Sequence, residues 1–148
     1  MNYRETMSRL NNAMSNIDSA YAVIAKKHGL TFNALMIIYI IDESDNITQK
    51  KICDILHLPK STVHSILSEF INQKYISLVA GNNKKEKFVT ITEIGIQHFK
   101  TVLKETQLFE DKILSILGDD TCIFLVETAE KLGCIIKNEI LEIRGNKG

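Results

Sequence analysis

The chain has 148 residues, 45% of them hydrophobic and 24% charged, which is enough for one globular domain with its own core. Its formal net charge is zero, so attraction to nucleic acid cannot be argued from the chain as a whole. Cys53, Cys122 and Cys134 form no spaced disulfide framework, the polar start Met1–Thr6 has no signal-peptide core, and the longest apolar run, Ala34 to Ile41, is too short to span a bilayer; together they lead us to expect a cytoplasmic protein without membrane association.

Residues 3–27 read as an amphipathic helix. Tyr3, Met7, Leu10, Met14, Ile17, Tyr21 and Ile24 repeat in alternating steps of four and three. That heptad seam predicts packing against another long helix or a second subunit; a ligand wall built from the Met and Tyr side chains is the competing reading. Gly29 should end the helix and Thr31 should cap the next. From Leu35 to Ile41 the chain is apolar almost all round, which predicts a central, buried helix over 32–42. A buried strand also fits the run, but its length and the Thr31 cap favour helix. Residues 42–46 form the loop that follows.

Residues 47–76 are the stretch that the rest serves. Thr48 is placed to cap a short helix whose apolar positions are Ile52, Ile55 and Leu56. A turn at His57-Leu58 follows, where a positive φ is common and His is among the non-glycine residues enriched. Cys53 and His57 stand four apart and could face a metal together, but no third or fourth ligand accompanies them, so a core residue and a turn residue is the reading adopted and no metal is expected. A second helix begins after Pro59, with Val63, Ile66, Leu67, Phe70 and Ile71 as its buried stripe. Lys60, Ser61, Thr62, His64, Ser65 and Ser68 gather at its beginning and on its other face. Two short helices, a tight turn and small polar residues at the second N-terminus describe a helix-turn-helix, in which the second helix enters the major groove N-terminus first.

After Tyr75 the period changes to that of strands. Ile76, Leu78 and Ala80, then Phe88, Val89 and Ile91, flank a Gly81-Asn82-Asn83 turn, which predicts a β-hairpin. Placed directly after a recognition helix it is a wing, with Lys84, Lys85 and Lys87 at its tip for phosphate or minor-groove contact; alone it would be an ordinary charged hairpin. Residues 48–92 hold seven lysines against Asp54, Glu69 and Glu86, a net +4 that leaves −4 elsewhere. A basic middle between acidic ends fits a localised anion-binding surface.

Thr92 is expected to cap a helix over 93–117, with Ile94, Phe99, Val102, Leu103, Phe109, Ile113, Ile116 and Leu117 on its apolar side. Gly118 breaks it, and Asp120 or Thr121 should start a last helix carrying Cys122, Leu125, Ala129, Leu132, Ile136, Ile140 and Ile143, ending in a frayed polar tail, residues 144–148. Such apolar helices at both ends exceed what one small core covers. Pairing two copies through Met7, Leu10, Met14, Ile17, Leu125, Leu132, Ile136 and Ile140 would bury them.

The order of parts resembles the MarR family of winged-helix transcription regulators. The residues that carry the likeness are Leu30, Thr31 and Leu35; Thr48-Gln49-Lys50-Lys51-Ile52-Cys53; Pro59-Lys60-Ser61-Thr62-Val63; Phe70 through Ile76; and Ile91-Thr92-Glu93 with Gly95. The resemblance implies a mainly α fold with a small β-hairpin wing, in one domain over 1–148. Residues 31–92 would be the DNA-binding lobe, and 1–30 with 93–148 the dimerisation helices. It further implies a homodimer that binds a pseudo-palindromic operator on double-stranded DNA, usually as a repressor released by a small-molecule effector or an oxidant. Ser61, Thr62, His64, Ser65 and Ser68 would face the major groove, Thr48, Gln49 and Lys60 the backbone, and the wing the minor groove. This chain departs from the family pattern in three places. Asn83-Lys84-Lys85 stands where the family has Asp-x-Arg, Ser65 where it often has an arginine, and Lys74 where it has a glycine.

A winged-helix protein-interaction module without DNA binding fits the arginine-free reading head and zero net charge. An enzyme is not expected: His28, His57, His64 and His98 sit in no recognisable catalytic motif, no phosphate-cradling glycine loop exists, and no cofactor is implied. For an effector, Tyr21, Phe32, Tyr39 and Phe109 are candidate pocket residues, although core packing explains them as well. The cysteines fall on apolar faces, where thiols are usually inert.

Overall fold

The computed structural model describes residues 1–83 and 85–145; Lys84 at the wing tip and the last three residues of the tail lie outside them. Within these limits the chain divides into two compact units, Met1–Thr106 and a second starting at Gln107.

The first unit opens with α1 (Tyr3–Lys27), started by the Asn2 side chain accepting from the Glu5 N–H. It stops as expected at Gly29, whose φ is +71°. Gly29 N–H donates to the Lys26 carbonyl and Leu30 N–H to that of Ala25, the paired bonds of a Schellman ending. Thr31 caps α2 (Phe32–Asp42) by accepting from Ala34 N–H at 3.1 Å. Ala34, Leu35, Ile37, Ile38 and Ile41 are buried, so α2 is the central helix that its all-round apolar sequence predicts. Around it gather Ile24 and Ala25 of α1, Ile52 of α3 (Gln49–Leu56), Val63, Leu67 and Phe70 of α4 (Lys60–Asn72), and Phe99 and Val102 of α5 (Glu93–Leu117). Burial on this scale is the main stabilising term, so truncating a side chain such as Leu35 would cost about 2–5 kcal/mol.

The sheet has one strand more than the hairpin. Besides β2 (Ile76–Ala80) and β3 (Lys87–Ile91), residues Ile47 and Thr48 form a short strand, β1, and the order is β1-β3-β2. All pairs are antiparallel, with Ile47 and Leu78 both opposite Val89 and Ile76 opposite Ile91. A two-residue strand has no periodicity to read. Ile47 is recruited because its side chain completes the core beside Val89 and its backbone pairs the free edge of β3.

Helix α5 starts where Thr92 Oγ1 accepts from Gly95 N–H at 3.0 Å. The same hydroxyl donates to the Lys74 carbonyl at 2.6 Å, and Thr92 N–H donates to that of Tyr75. Gly95 is buried against this junction, and a Cβ on it would stand 2.0 Å from the Tyr75 carbonyl oxygen. The Tyr75 ring stacks on His98 at 4.0 Å and meets the edge of Phe99, which in turn packs against Phe70.

In the second unit, Gly118 (φ +88°) reverses the chain between the end of α5 and α6 (Asp119–Gly145), which begins a residue or two before the expected start. None of the described residues of this unit is buried. Leu125, Ile136 and Ile140 are exposed and Leu132 is half-buried. On α1, Met7, Leu10, Met14 and Ile17 are also exposed, whereas Ile24 at the far end of the seam is 7% exposed. No described helix is long and apolar enough to cross a membrane.

Gly95→Ala pushes a methyl into the Tyr75 carbonyl and should cost about 3 kcal/mol, read as a lower urea midpoint. Glu105 on α5 receives a hydrogen bond from Lys27 Nζ at 2.7 Å and pairs with His28 Nε2, which ties the last turn of α1 to α5. The Lys27 bond first, and then the His28 bond, hold its carboxyl below the ordinary value of 4.5. A lowered carboxyl pKa stabilises the fold above the unfolded value, and that contribution is lost as pH falls through the lowered one. Glu105→Gln should therefore flatten the fall in stability with pH below about 4.5 and leave the alkaline side of the curve unchanged.

Candidate nucleic-acid interface

The interface candidate is built from α3, the turn, α4 and the wing. Thr48 has extended backbone, and its hydroxyl accepts from Lys51 N–H at 3.2 Å. It is thus committed to capping α3 but keeps its own proton to donate outward. Gln49 beside it is half-buried. Ile52 faces the core, whereas Ile55 is exposed at 45% rather than joining the apolar stripe, because an eight-residue helix buries only one narrow side here.

The turn has the conformation its sequence suggested. His57 lies in the left-handed region, with φ 51° and ψ 38°, and Leu58 N–H bonds back to the Cys53 carbonyl. Pro59 then opens α4 with an extended backbone, and no side chain caps the helix start. The first-turn N–H groups at Lys60 and Ser61 therefore face outward at the positive end of the helix dipole, where an anion is favoured.

Val63, Leu67 and Phe70 pin one side of α4 to the core. The opposite side carries Lys60, Ser61, His64 and Ser65, all exposed, with Thr62 and Ser68 half-buried at its margins. His64 Nε2 lies 3.4 Å from Ser68 Oγ. Lys74, at the place where the family has glycine, does adopt a positive φ of 63°, at a cost on the order of 1 kcal/mol for a side chain in that region.

The wing tip is closed by a side chain. Asn83 Oδ1 accepts from the N–H groups of both Lys85 and Glu86, at 3.0 and 2.9 Å, and Gly81 N–H donates to the Glu86 carbonyl. This is the side-chain-to-backbone turn that Asn favours, and the Gly-Asn-Asn run was its signal. Backbone closure leaves the Lys85 and Lys87 side chains exposed. Lys84, the third lysine expected there, is outside the described residues.

The remaining candidates fall elsewhere. Tyr21 and Tyr39 meet edge to face at 6.4 Å, and Phe32 is half-buried, all in the first unit; Phe109 belongs to the second. Cys53 and Cys122 are half-buried, but Cys134 is exposed on α6, contrary to the apolar-face expectation. His28 has a carboxylate partner after all, Glu105, seventy-seven residues away and beyond the reach of any local motif.

The comparisons bear on this geometry directly. Residues 28–85, which span α2, α3, the turn, α4 and the wing up to its tip, match the MarR family model. Over that segment the chain is similar to the winged helix of the MarR family. Its fold is similar to that of a MarR family regulator from Neisseria meningitidis, with a TM-score of 0.80 and 22% identity over 96% of this chain and 99% of that one. It is similar to Staphylococcus aureus MarR in complex with salicylate and kanamycin, with a TM-score of 0.71 and 17% identity over 93% of each chain. NadR in complex with 4-hydroxyphenylacetate matches with a TM-score of 0.74 and 16% identity over 83% of this chain and 88% of that one. At such identities the likeness is one of fold, and it is the MarR fold of helices around a small three-stranded sheet. No curated protein matches the sequence.

Proposed function

We propose that this protein is a sequence-specific, double-stranded-DNA-binding regulator of transcription and not an enzyme. It acts as a homodimer, represses from a pseudo-palindromic operator and is released by a small ligand. The observation that carries the reading is the two-sided chemistry of α4, whose apolar side is locked into the core while Lys60, Ser61, His64 and Ser65 stand exposed opposite. Hydroxyls and an imidazole there can both donate to and accept from base edges. Thr48, Gln49 and Lys60 hold the sugar-phosphate backbone, Thr62 and Ser68 flank the reading surface, and Lys85 and Lys87, with Lys84, supply the wing's charge.

The homodimer reading rests on the exposed apolar residues of α1 and α6, which a second copy would cover about a two-fold axis. Such symmetry matches an inverted-repeat operator. For the effector, the salicylate and 4-hydroxyphenylacetate complexes of the two relatives support a small aromatic carboxylate. Tyr21, Phe32 and Tyr39 of the first unit are the aromatic residues proposed to receive it. Release by an oxidant remains the secondary route, with the exposed Cys134 the thiol open to it.

Selection of bound fragments from a random duplex pool tests the reading. The expected product is an inverted repeat with half-sites about one helical turn apart. No enrichment at low salt would favour instead a winged-helix module that binds protein, a reading suited to the arginine-free segment 48–92. Lys85→Ala should weaken binding to all duplexes alike and lower the slope of log affinity against log salt by about one. An unchanged slope would take the wing off the DNA.

A further inference from the structure

We infer that the His64–Ser68 pair is a proton-dependent base reader, which accepts several bases when neutral and selects guanine when protonated. The inference rests on the DNA-binding reading above and concerns how that same surface chooses its sequence.

The argument begins with the contact between His64 Nε2 and Ser68 Oγ, 3.4 Å apart and one turn along the exposed side of α4. A neutral imidazole has one donor and one acceptor nitrogen, and a serine hydroxyl rotates to give or to accept. Once Nε2 is engaged, Nδ1 has the opposite polarity. If the hydroxyl donates to Nε2, Nδ1 carries the hydrogen and donates; if the hydroxyl accepts, Nδ1 accepts. The neutral pair thus meets the acceptor edge of guanine or the amino groups of adenine and cytosine after no more than a hydroxyl rotation.

Protonation removes that choice. Both nitrogens then donate, Ser68 accepts, and the ring offers a cationic donor to the groove. In the major groove guanine alone places two acceptors, N7 and O6, side by side, and no donor. The charge also strengthens the bond to those acceptors. Histidine is the side chain whose charge changes in the physiological range.

The surroundings leave the ring available for this. Among the described residues no carboxylate pairs with His64. The charged residues of α4 itself are Lys60, four before, and Glu69, five after, both exposed. The elements packed against α4 include α3, which carries Lys50, Lys51 and Asp54, β2, which carries no charge, and α5, whose Phe99 meets Phe70 and which carries Glu93, Lys100, Lys104 and Glu105 within the first unit; they meet a helix whose buried residues are Val63, Leu67 and Phe70.

The test is duplex selection with the full-length protein at about pH 6 and about pH 8, on either side of the ordinary histidine range, for wild type and His64→Gln. The expected result is one position in each half-site that gains guanine by about fivefold or more at the lower pH, a gain typical of one charge-assisted bond. Whatever duplexes His64→Gln selects, none of their positions should gain guanine between the higher and the lower pH. Identical wild-type preferences at both pH values, or a gain that persists in His64→Gln, would overturn the role of His64 and leave the DNA-binding reading standing. Failure of the wild type to enrich any duplex at either pH would overturn that reading, and this inference with it.

Discussion

The architecture of the first unit depends on one close approach, that of the α5 start to the backbone at Tyr75. Three backbone segments converge there: the end of α4 at Lys74, the first residue pair of the wing at Ile76 and Ile91, and the first turn of α5 at Gly95. Thr92 joins them, donating to the Lys74 carbonyl and accepting from Gly95 N–H. No side chain fits between Gly95 and the Tyr75 carbonyl. The positive φ of Lys74 belongs to the same constraint, because the chain must reverse within a few residues to pass from helix to strand. Strain at Lys74 is therefore sustained by the bonds that surround it.

That junction also fixes what the candidate interface can present. With α4 anchored at its far end and the base of the wing tied to it, the N-terminal half of α4 and the wing tip project from one braced unit. Their polar residues need few internal partners of their own. The tip is closed by the Asn83 side chain and by backbone bonds between Gly81, Asn83 and Glu86, and the α4 start has no side-chain cap. The lysine, serine and histidine side chains exposed at this edge can reach a ligand. The electrostatics agree: a neutral chain concentrates +4 in residues 48–92.

The two apolar regimes of the molecule differ in kind. On α2, Ala34, Leu35, Ile37, Ile38 and Ile41 are buried. From Gln107 onward no described residue is buried, although the sequence is just as apolar. A stripe of that size left open to water is unfavourable for a lone chain. This contrast, rather than the heptad spacing by itself, supports a second copy as the occupant.

Much of the fold was legible in the sequence because it is set locally. Thr31, Thr48 and Thr92 announce helix starts by hydroxyls that reach only three residues. Gly29 and His57 announce turns by backbone conformations that few residues share, and the change of period after Tyr75 separates strand from helix. The all-round apolar run of α2 places it at the centre whatever surrounds it. For the candidate site, the exposed polar side of α4 followed directly from the spacing of its buried stripe.

What only the tertiary structure decided is everything that depends on residues distant in sequence. Ile47 becomes a strand because β3 offers a free edge, and nothing in two residues encodes that. Gly95 is glycine because of a carbonyl twenty residues earlier, and Glu105 is lowered in pKa by Lys27 and His28 from the other end of the unit. Ile55 and Cys134, apolar by pattern, lie exposed because burial is settled by which neighbours arrive, not by periodicity. Helix caps and tight turns act within a turn or two of the chain, and so sequence reports them. Packing and paired charge act through space, and only the folded chain can say which partners meet.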